Sequence, residues 1–287
     1  MILVDFNQVM MSNMIVMIKR NDYTPEFFRH WVLNTIRSFN VKFKNTYGEM
    51  IICCDSRSWR KDYFSYYKMS RKLKRQEDDI DWDAVFGDFH SLVEDLNKFF
   101  PYKVVKTDGA EADDIIATLT KLNRSGEKTI IVSSDKDFIQ LHSKEIRQYC
   151  PRKKEMFAKQ EMSDIGNYLL EHIIKGDTSD GVPNVLSDDD VFVNQDKKQS
   201  RMTKKRLEEI KNSIILNQSS KYDSRISRNK KLIDLNEIPS NIIENIMSSY
   251  NERRVGNIQK AFTYLVKYDL RELINKIEDF KPQRSEE

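Results

Sequence analysis

Cysteine is scarce: 287 residues contain only Cys53, Cys54 and Cys150, two of them adjacent in an apolar run. Such a set builds no disulfide framework and predicts reduced thiols in a reducing cytoplasm. Long hydrophobic runs are missing as well. No window approaches the ~18 uninterrupted apolar residues that a bilayer span needs. The N-terminal stretch is apolar enough to suggest a signal peptide, but Asp5, Asn7 and Gln8 interrupt it. Its basic pair, Lys19-Arg20, follows the segment where a signal peptide's would precede it. The chain therefore reads as soluble and intracellular, with no membrane partner. It lacks a GxxxxGK[ST] loop and a GxGxxG turn, which removes the usual phosphate-cradling nucleotide sites. Its four histidines, His30, His90, His142 and His172, stand in no zinc-ligand spacing with the cysteines and support no nucleophile triad. They read as packing or surface residues.

What is plentiful is charge and aromatic surface. Charged residues make up 32% of the chain, yet the formal net charge is only +3, so the placement of each sign matters more than the sum. A hydrophobic fraction of 39%, with 15 Phe, 12 Tyr and 11 Met, predicts a packed globular core rather than disorder.

Four apolar runs read as buried strands: "ILVDF" at 2–6, "MIICCD" at 50–55, "YKVVK" at 102–106 and "KTIIVSS" at 128–134. Helical patterns lie between them, at 25–44, 84–100 and 111–122. Alternation of this kind predicts an α/β fold with a mostly parallel central sheet flanked by helices. After about residue 150 strands become rare, and helical patterns return at 240–250 and 257–277. The expected division is an α/β domain over 1–160 and a smaller helical C-terminal domain over 161–287. The stretch 186–200 reads as a long exposed loop.

Three of the four strand candidates end in aspartate: Asp5, Asp55 and the Asp135/Asp137 pair. In an open parallel sheet, ligands bind beyond the carboxyl ends of the strands, where acids distant in sequence converge. Glu111, Asp113 and Asp114 open a helix, and Asp177 and Asp180 lie in the turn-rich "KGDTSDGVPN". A single Asp after a strand is ordinarily a cap or turn residue. Recurrence of the same residue type at successive strand ends is what points to chemistry. So many carboxylates in one pocket repel strongly unless divalent cations neutralise them, and oxygen-only ligands favour magnesium or manganese. Two such ions close together suit phosphodiester hydrolysis.

Directly after Asp55 comes "RSWRKDYFSYYKMSRKLKR", residues 57–75. Its cations Arg57, Arg60, Lys61, Lys68, Arg71, Lys72, Lys74 and Arg75 alternate with Trp59, Tyr63, Phe64, Tyr66 and Tyr67. Cations neutralise phosphates and aromatics stack on unpaired bases, each stack contributing roughly 1–3 kcal/mol. The bland alternative is a solvated amphipathic helix.

These pieces resemble the 5′ nuclease family, which comprises flap endonucleases and the 5′ to 3′ exonuclease domains of DNA polymerases. The likeness runs along essentially the whole chain, and "EADD", "IIVSSDKDFIQLH", "KGDTSDGVP" and "WRKDYFSYYKMSR" carry it most specifically. It implies a first metal held by Asp5, Asp55, Glu111, Asp113 and Asp135. It also implies a second held by Asp137, Asp177 and Asp180, with Asp135 shared and Asp114 supporting. The ions would be two Mg2+, with Mn2+ able to substitute. Lys68 and Arg71 match the residues that address the scissile phosphate, with Asp135 and Asp137 beside them in catalysis, and Tyr67 matches an aromatic that stacks on substrate. The family's cellular members carry a glycine-rich duplex-binding hairpin, often with a potassium ion, after the Asp-x-x-Asp segment. Here that hairpin has no GxG. The run Lys197, Lys198, Arg201, Lys204, Lys205 and Arg206 stands in its place as the expected duplex contact.

The resemblance implies a monomeric, magnesium-dependent 5′ to 3′ exonuclease and flap endonuclease with ribonuclease H activity. Its substrates would be DNA and RNA–DNA duplexes with 5′ ends, flaps or forks, in the host cytoplasm during phage replication. A single-stranded-DNA-binding protein and a sliding clamp are the expected protein partners. The competing readings are a PIN-domain-like single-strand endoribonuclease and a structure-specific nucleic-acid binder with an inactive site.

Overall fold

The computed structural model describes residues 1–123, 126–159, 162–252 and 255–283. In chain order the elements are β1 (Ile2–Asp5), α1 (Phe6–Arg20), α2 (Pro25–Tyr47), β2 (Met50–Cys53), α3 (Arg60–Tyr63) and α4 (Met69–Gln76). There follow α5 (Trp82–Phe99), β3 (Lys103–Val105), α6 (Ala112–Thr120), β4 (Thr129–Val132), β5 (Ile146–Cys150) and β6 (Glu155–Met156). Last come α7 (Met162–Lys175), α8 (Lys204–Ile215), α9 (Asp223–Ile233), α10 (Ser240–Asn251), α11 (Ile258–Lys267) and α12 (Arg271–Ile274). Among the described residues no helix is long and apolar enough to cross a membrane.

The chain forms two compact units. One comprises Met1–Ser56, Asp81–Lys159 and Asn241–Glu287, the other Arg57–Ile80 and Gln160–Ser240. This departs from the linear division at residue 160. Residues 57–80 cluster with the helical unit, and the segment from 241 onward clusters with the sheet. The second departure has a visible cause in long-range packing. The Asn40 amide of α2 donates to the carbonyls of Asp279 (2.7 Å) and Lys281 (2.9 Å). Tyr264 of α11 packs on Phe99 and Phe100 at 5.1 and 5.4 Å between ring centroids, and its hydroxyl donates to Asp95 (2.7 Å). Each fully buried aromatic of this kind contributes about 2–3 kcal/mol by burial alone.

The first unit is built on a six-stranded sheet in the order β3-β2-β1-β4-β5-β6. All neighbouring pairs are parallel except β5 with β6. Every residue of β1, β2 and β4 is buried, as strands covered on both faces require. β1 lies between β2 and β4, so the strand order reverses at β1 and opens a crevice at the carboxyl ends of β1 and β4. Several elements were not legible in the sequence, α1 and β5 among them. The Met-rich stretch after β1 is the helix α1, entered without a loop because the Asp5 carboxylate caps it, accepting from Gln8 N at 3.1 Å. β5 escaped notice because "IRQYC" mixes polar and apolar residues without alternation.

In the second unit Ile174, Val185, Leu207 and Ile210 form one apolar cluster under α7 and α8. Phe64, Tyr67, Ile173, Val182, Leu232 and Ile233 form another. Asn229 of α9 is fully buried and donates to the carbonyls of Ile173 (2.8 Å) and Pro183 (2.9 Å). The 186–200 segment has neither helix nor strand, as expected, but it is tied down. Asn184 N donates to Gln199 Oε1 (2.9 Å), and Ser200 N donates to Ser187 Oγ (2.9 Å).

Candidate metal centre and nucleic-acid surface

Asp5 ends β1, Asp55 follows β2 by two residues, and Asp135 follows β4 by three. Because those strands are adjacent and parallel, the three acids share one edge of the sheet. Ser133 links two of them: its hydroxyl donates to Asp5 Oδ2 (2.8 Å) and accepts from Asp135 N (3.0 Å). Asp135 Oδ1 accepts from Asp137 N (2.9 Å), which starts the 3-10 turn Asp137–Leu141. Asp55 Oδ1 accepts from Ala112 N (2.7 Å), and so holds the first turn of α6 against the same edge. Glu111 is the N-cap of that helix and Asp114 its reciprocal partner, with Glu111 N donating to Asp114 Oδ2 (3.0 Å). Glu111 and Asp114 are buried while Asp113 is half-exposed. The capping box supplies the irregular helix entry on which a joint role for Glu111 and Asp113 depends.

Asp5 is buried, and desolvation followed by the charge of Asp55 pushes its carboxyl up to about 7, against donation from Ser133 and Gln8 N. Asp135 adds a smaller push in the same direction. Burial and Asp55 also push the Cys54 thiol well up, and burial does the same for Cys53, so no thiolate competes here. The donors at this edge are therefore all carboxylate oxygens, which fits a hard divalent ion.

Behind this edge lies support that the sequence reading missed. Gln148 of β5 is fully buried, and its amide nitrogen donates to the carbonyls of Ser133 (3.0 Å) and Asp135. Its oxygen meets His142 Nε2 at 2.9 Å. His142 was expected to be an ordinary packing residue. The available signal was a glutamine inside a strand whose neighbours Tyr149 and Cys150 are buried.

Asp177 and Asp180 belong to the helical unit. Asp177 Oδ1 accepts from Ser179 N (2.7 Å), and Gly176 precedes it at φ +69°, where an added Cβ would lie 2.3 Å from Val182 O. Asp180 is engaged three ways: Tyr67 donates to it (2.8 Å), Lys68 Nζ lies 3.4 Å away, and Arg71 forms an ion pair with it. Lys68 itself sits in the left-handed region at φ 55°, and its N–H donates to Asp180 O (2.7 Å).

The structure revises several expected nucleic-acid contacts. Arg60 is only 2% exposed and donates Nε to Leu232 O (2.8 Å) beneath the Trp59 ring, so it is a structural cation. Tyr67 is 4% exposed, with its ring in the cluster around Ile173 and Val182, and offers no stacking face. Arg57 pairs with Asp62, and Lys197 with Asp190 (2.8 Å) and Asp188 (3.4 Å). Lys61, Lys72, Lys198, Arg201, Lys204, Lys205 and Arg206 are exposed. Of these, Lys204, Lys205 and Arg206 form the first turn of α8, which contains no acid. Cations there work against the helix dipole, while the same helix end attracts anions.

A mostly parallel sheet with acids at its switch point, in a chain that also carries a helical unit with exposed cations, is the architecture of a 5′ nuclease. Residues 2–166 match the profile of the 5′-3′ exonuclease N-terminal, resolvase-like domain, and residues 164–280 that of the T4 RNase H C-terminal domain. The chain belongs to the 5′-3′ exonuclease family, and it is a phosphodiester hydrolase. It is 34% identical to the ribonuclease H of Enterobacteria phage T4, across 97% of this chain and 95% of that protein. It is 30% identical to the 5′-3′ exonuclease of Buchnera aphidicola subsp. Schizaphis graminum, over 58% of this chain and 57% of that protein. Among solved structures, the bacteriophage T5 5′-exonuclease with bound divalent metal ions superposes at a TM-score of 0.56 with 16% identity, covering 98% of this chain and 97% of that one. A T5 flap endonuclease pseudo-enzyme-product complex with DNA and metal ions gives 0.58 and 15%, covering 93% and 98%.

Proposed function

We propose that this protein is a magnesium-dependent 5′ to 3′ exonuclease and flap endonuclease with ribonuclease H activity. In this reading it removes RNA primers and adjoining DNA from lagging-strand fragments during phage replication in the host cytoplasm. The observation that carries the reading is the convergence of Asp5, Asp55 and Asp135 on one sheet edge, with Asp5 raised to about 7 by burial and its acidic neighbours. Asp5, Asp55, Glu111, Asp113 and Asp135 are the proposed holders of the first ion, and Asp137 contributes to the second. Magnesium, when bound, supplies Lewis acidity toward water and the scissile phosphate.

The chain's own residues do the rest. Asp135 Oδ1 accepts from the Asp137 N–H, which ties the two residues together at the start of the 3-10 turn. Lys68 and Arg71 are the proposed phosphate partners, and in the structure Asp180 holds both. The exposed first turn of α8, with Lys198 and Arg201 before it, is the proposed grip on duplex phosphates. A single-stranded-DNA-binding protein and a sliding clamp are the partners this role carries with it.

The test is cleavage of matched 5′-labelled RNA and DNA flaps annealed to a template, with magnesium added or chelated. Asp135→Asn and Asp137→Asn are expected to lose cleavage while still binding the annealed substrate. Full magnesium-dependent cleavage by either variant overturns the proposal.

A further inference from the structure

We infer that Gln148 and His142 are positioning residues for the acid edge: they aim the Asp135–Asp137 loop and so set the affinity of the metal site. The inference rests on the metal-site reading above.

The hydrogen-bond chemistry leaves one arrangement. The carbonyls of Ser133 and Asp135 only accept, so the Gln148 group facing them must be its NH2. Its oxygen then faces His142, whose Nε2 must carry the proton. Burial holds His142 below its ordinary pKa, so the ring stays neutral with that proton on Nε2. The imidazole thereby prevents the Gln148 amide from turning over. Turned over, it would set an oxygen against two carbonyl oxygens.

Both residues are placed to govern the loop. The 3-10 turn begins at Asp137 and ends just before His142, so His142 anchors its far end. Gln148 on β5 clamps the loop's near end, where the β4 backbone leaves the sheet and turns into Asp135. Ser133 completes the link, since the residue whose carbonyl Gln148 holds also hydrogen-bonds Asp5. Neither side chain reaches the solvent side of the edge: Gln148 is fully buried and His142 is 7% exposed. Their influence on a bound ion is thus indirect, through the geometry of the carboxylates. Outer-shell partners of this type change metal affinity about 10–100-fold when removed.

The experiment titrates Mn2+ into the full chain without substrate, reading free Mn2+ by electron paramagnetic resonance. It uses the wild type, Gln148→Leu and His142→Phe, each checked for folding by circular dichroism. Mn2+ affinity is expected to fall at least tenfold in Gln148→Leu and several-fold in His142→Phe, where the amide loses its orienting partner. In cleavage assays the magnesium midpoint should rise in parallel, with kcat recovering at saturating magnesium and KM for the flap unchanged. A merely structural role would lower the urea midpoint without moving the metal midpoint. If Gln148→Leu does not fold, His142→Phe decides. Wild-type Mn2+ binding with unchanged affinity in the folded variants overturns the inference alone. Failure of the wild type to bind Mn2+ overturns the metal-site reading and this inference with it.

Discussion

Replacing Asp5 by Asn should stabilise the metal-free protein above neutral pH. The folded state holds the Asp5 carboxyl at about 7, whereas an unfolded aspartate titrates at its ordinary 3.8. A raised folded-state pKa means that the fold prefers the protonated acid. The contribution to stability is complete below the unfolded value and disappears as pH climbs through the folded one. Between about 4 and 7 the native state binds the extra proton, and stability falls by ~1.4 kcal/mol per pH unit. Over that window the loss approaches roughly 4 kcal/mol, an upper figure because neighbouring acids share the titration. Asparagine has the same shape, never ionises, and still accepts from Gln8 N, while the Ser133 hydroxyl can turn to accept from its amide. Urea denaturation in EDTA should therefore show Asp5→Asn about 2–4 kcal/mol more stable than wild type at pH 8, and nearly equal to it at pH 4. Magnesium at a hundredfold excess over Kd should stabilise only the wild type at pH 8, by about 2.7 kcal/mol, and so close most of that gap. Equal stabilities at pH 8 without metal, with equal pH slopes, would refute the reasoning.

Three further outcomes follow from the helical unit. Arg60→Ala should destabilise by about 2–4 kcal/mol in urea, because it removes a buried donor and leaves the Leu232 carbonyl without it, and should leave duplex affinity per folded molecule unchanged. Gly176→Ala should destabilise by more than about 3 kcal/mol, since its backbone is left-handed and the new Cβ meets the Val182 carbonyl; a thermal melt with unchanged Tm would contradict this. Lys204→Ala should weaken duplex binding and reduce the log-affinity against log-salt slope by about 1, with kcat unaffected; an unaltered salt slope in fluorescence anisotropy would remove α8 from the substrate path.

The strands that deliver the acids were legible because strands buried on both faces read as unbroken apolar runs, and an Asp at the end of such a run is conspicuous. The helix starts near Pro25 and Glu111 were equally visible, marked by proline and by acids at the helix entry. Other features depend on partners far away in sequence and leave no local trace. Arg60 and Tyr67 look like nucleic-acid contacts by composition, and only the tertiary packing shows Leu232 and Asp180 as their partners. Gln148 reads as an interruption in a strand until Ser133 and Asp135 are seen beside it. The helices after residue 240 carry the same amphipathic pattern whichever unit they join. What assigns them to the sheet is the Asn40 amide reaching the Asp279 and Lys281 carbonyls, 239 and 241 positions away in sequence.

That last clasp bears on how the molecule is made. A unit whose α2 meets its closing helices some 240 positions later has to bring together segments separated by a very large loop. As the polypeptide leaves the ribosome, residues 57–80 and 160–240 are out before that ending is. Asp5, Asp55 and Asp135 are therefore translated before the helices that complete their unit, and those helices can dock on the sheet only after the whole helical unit has been made.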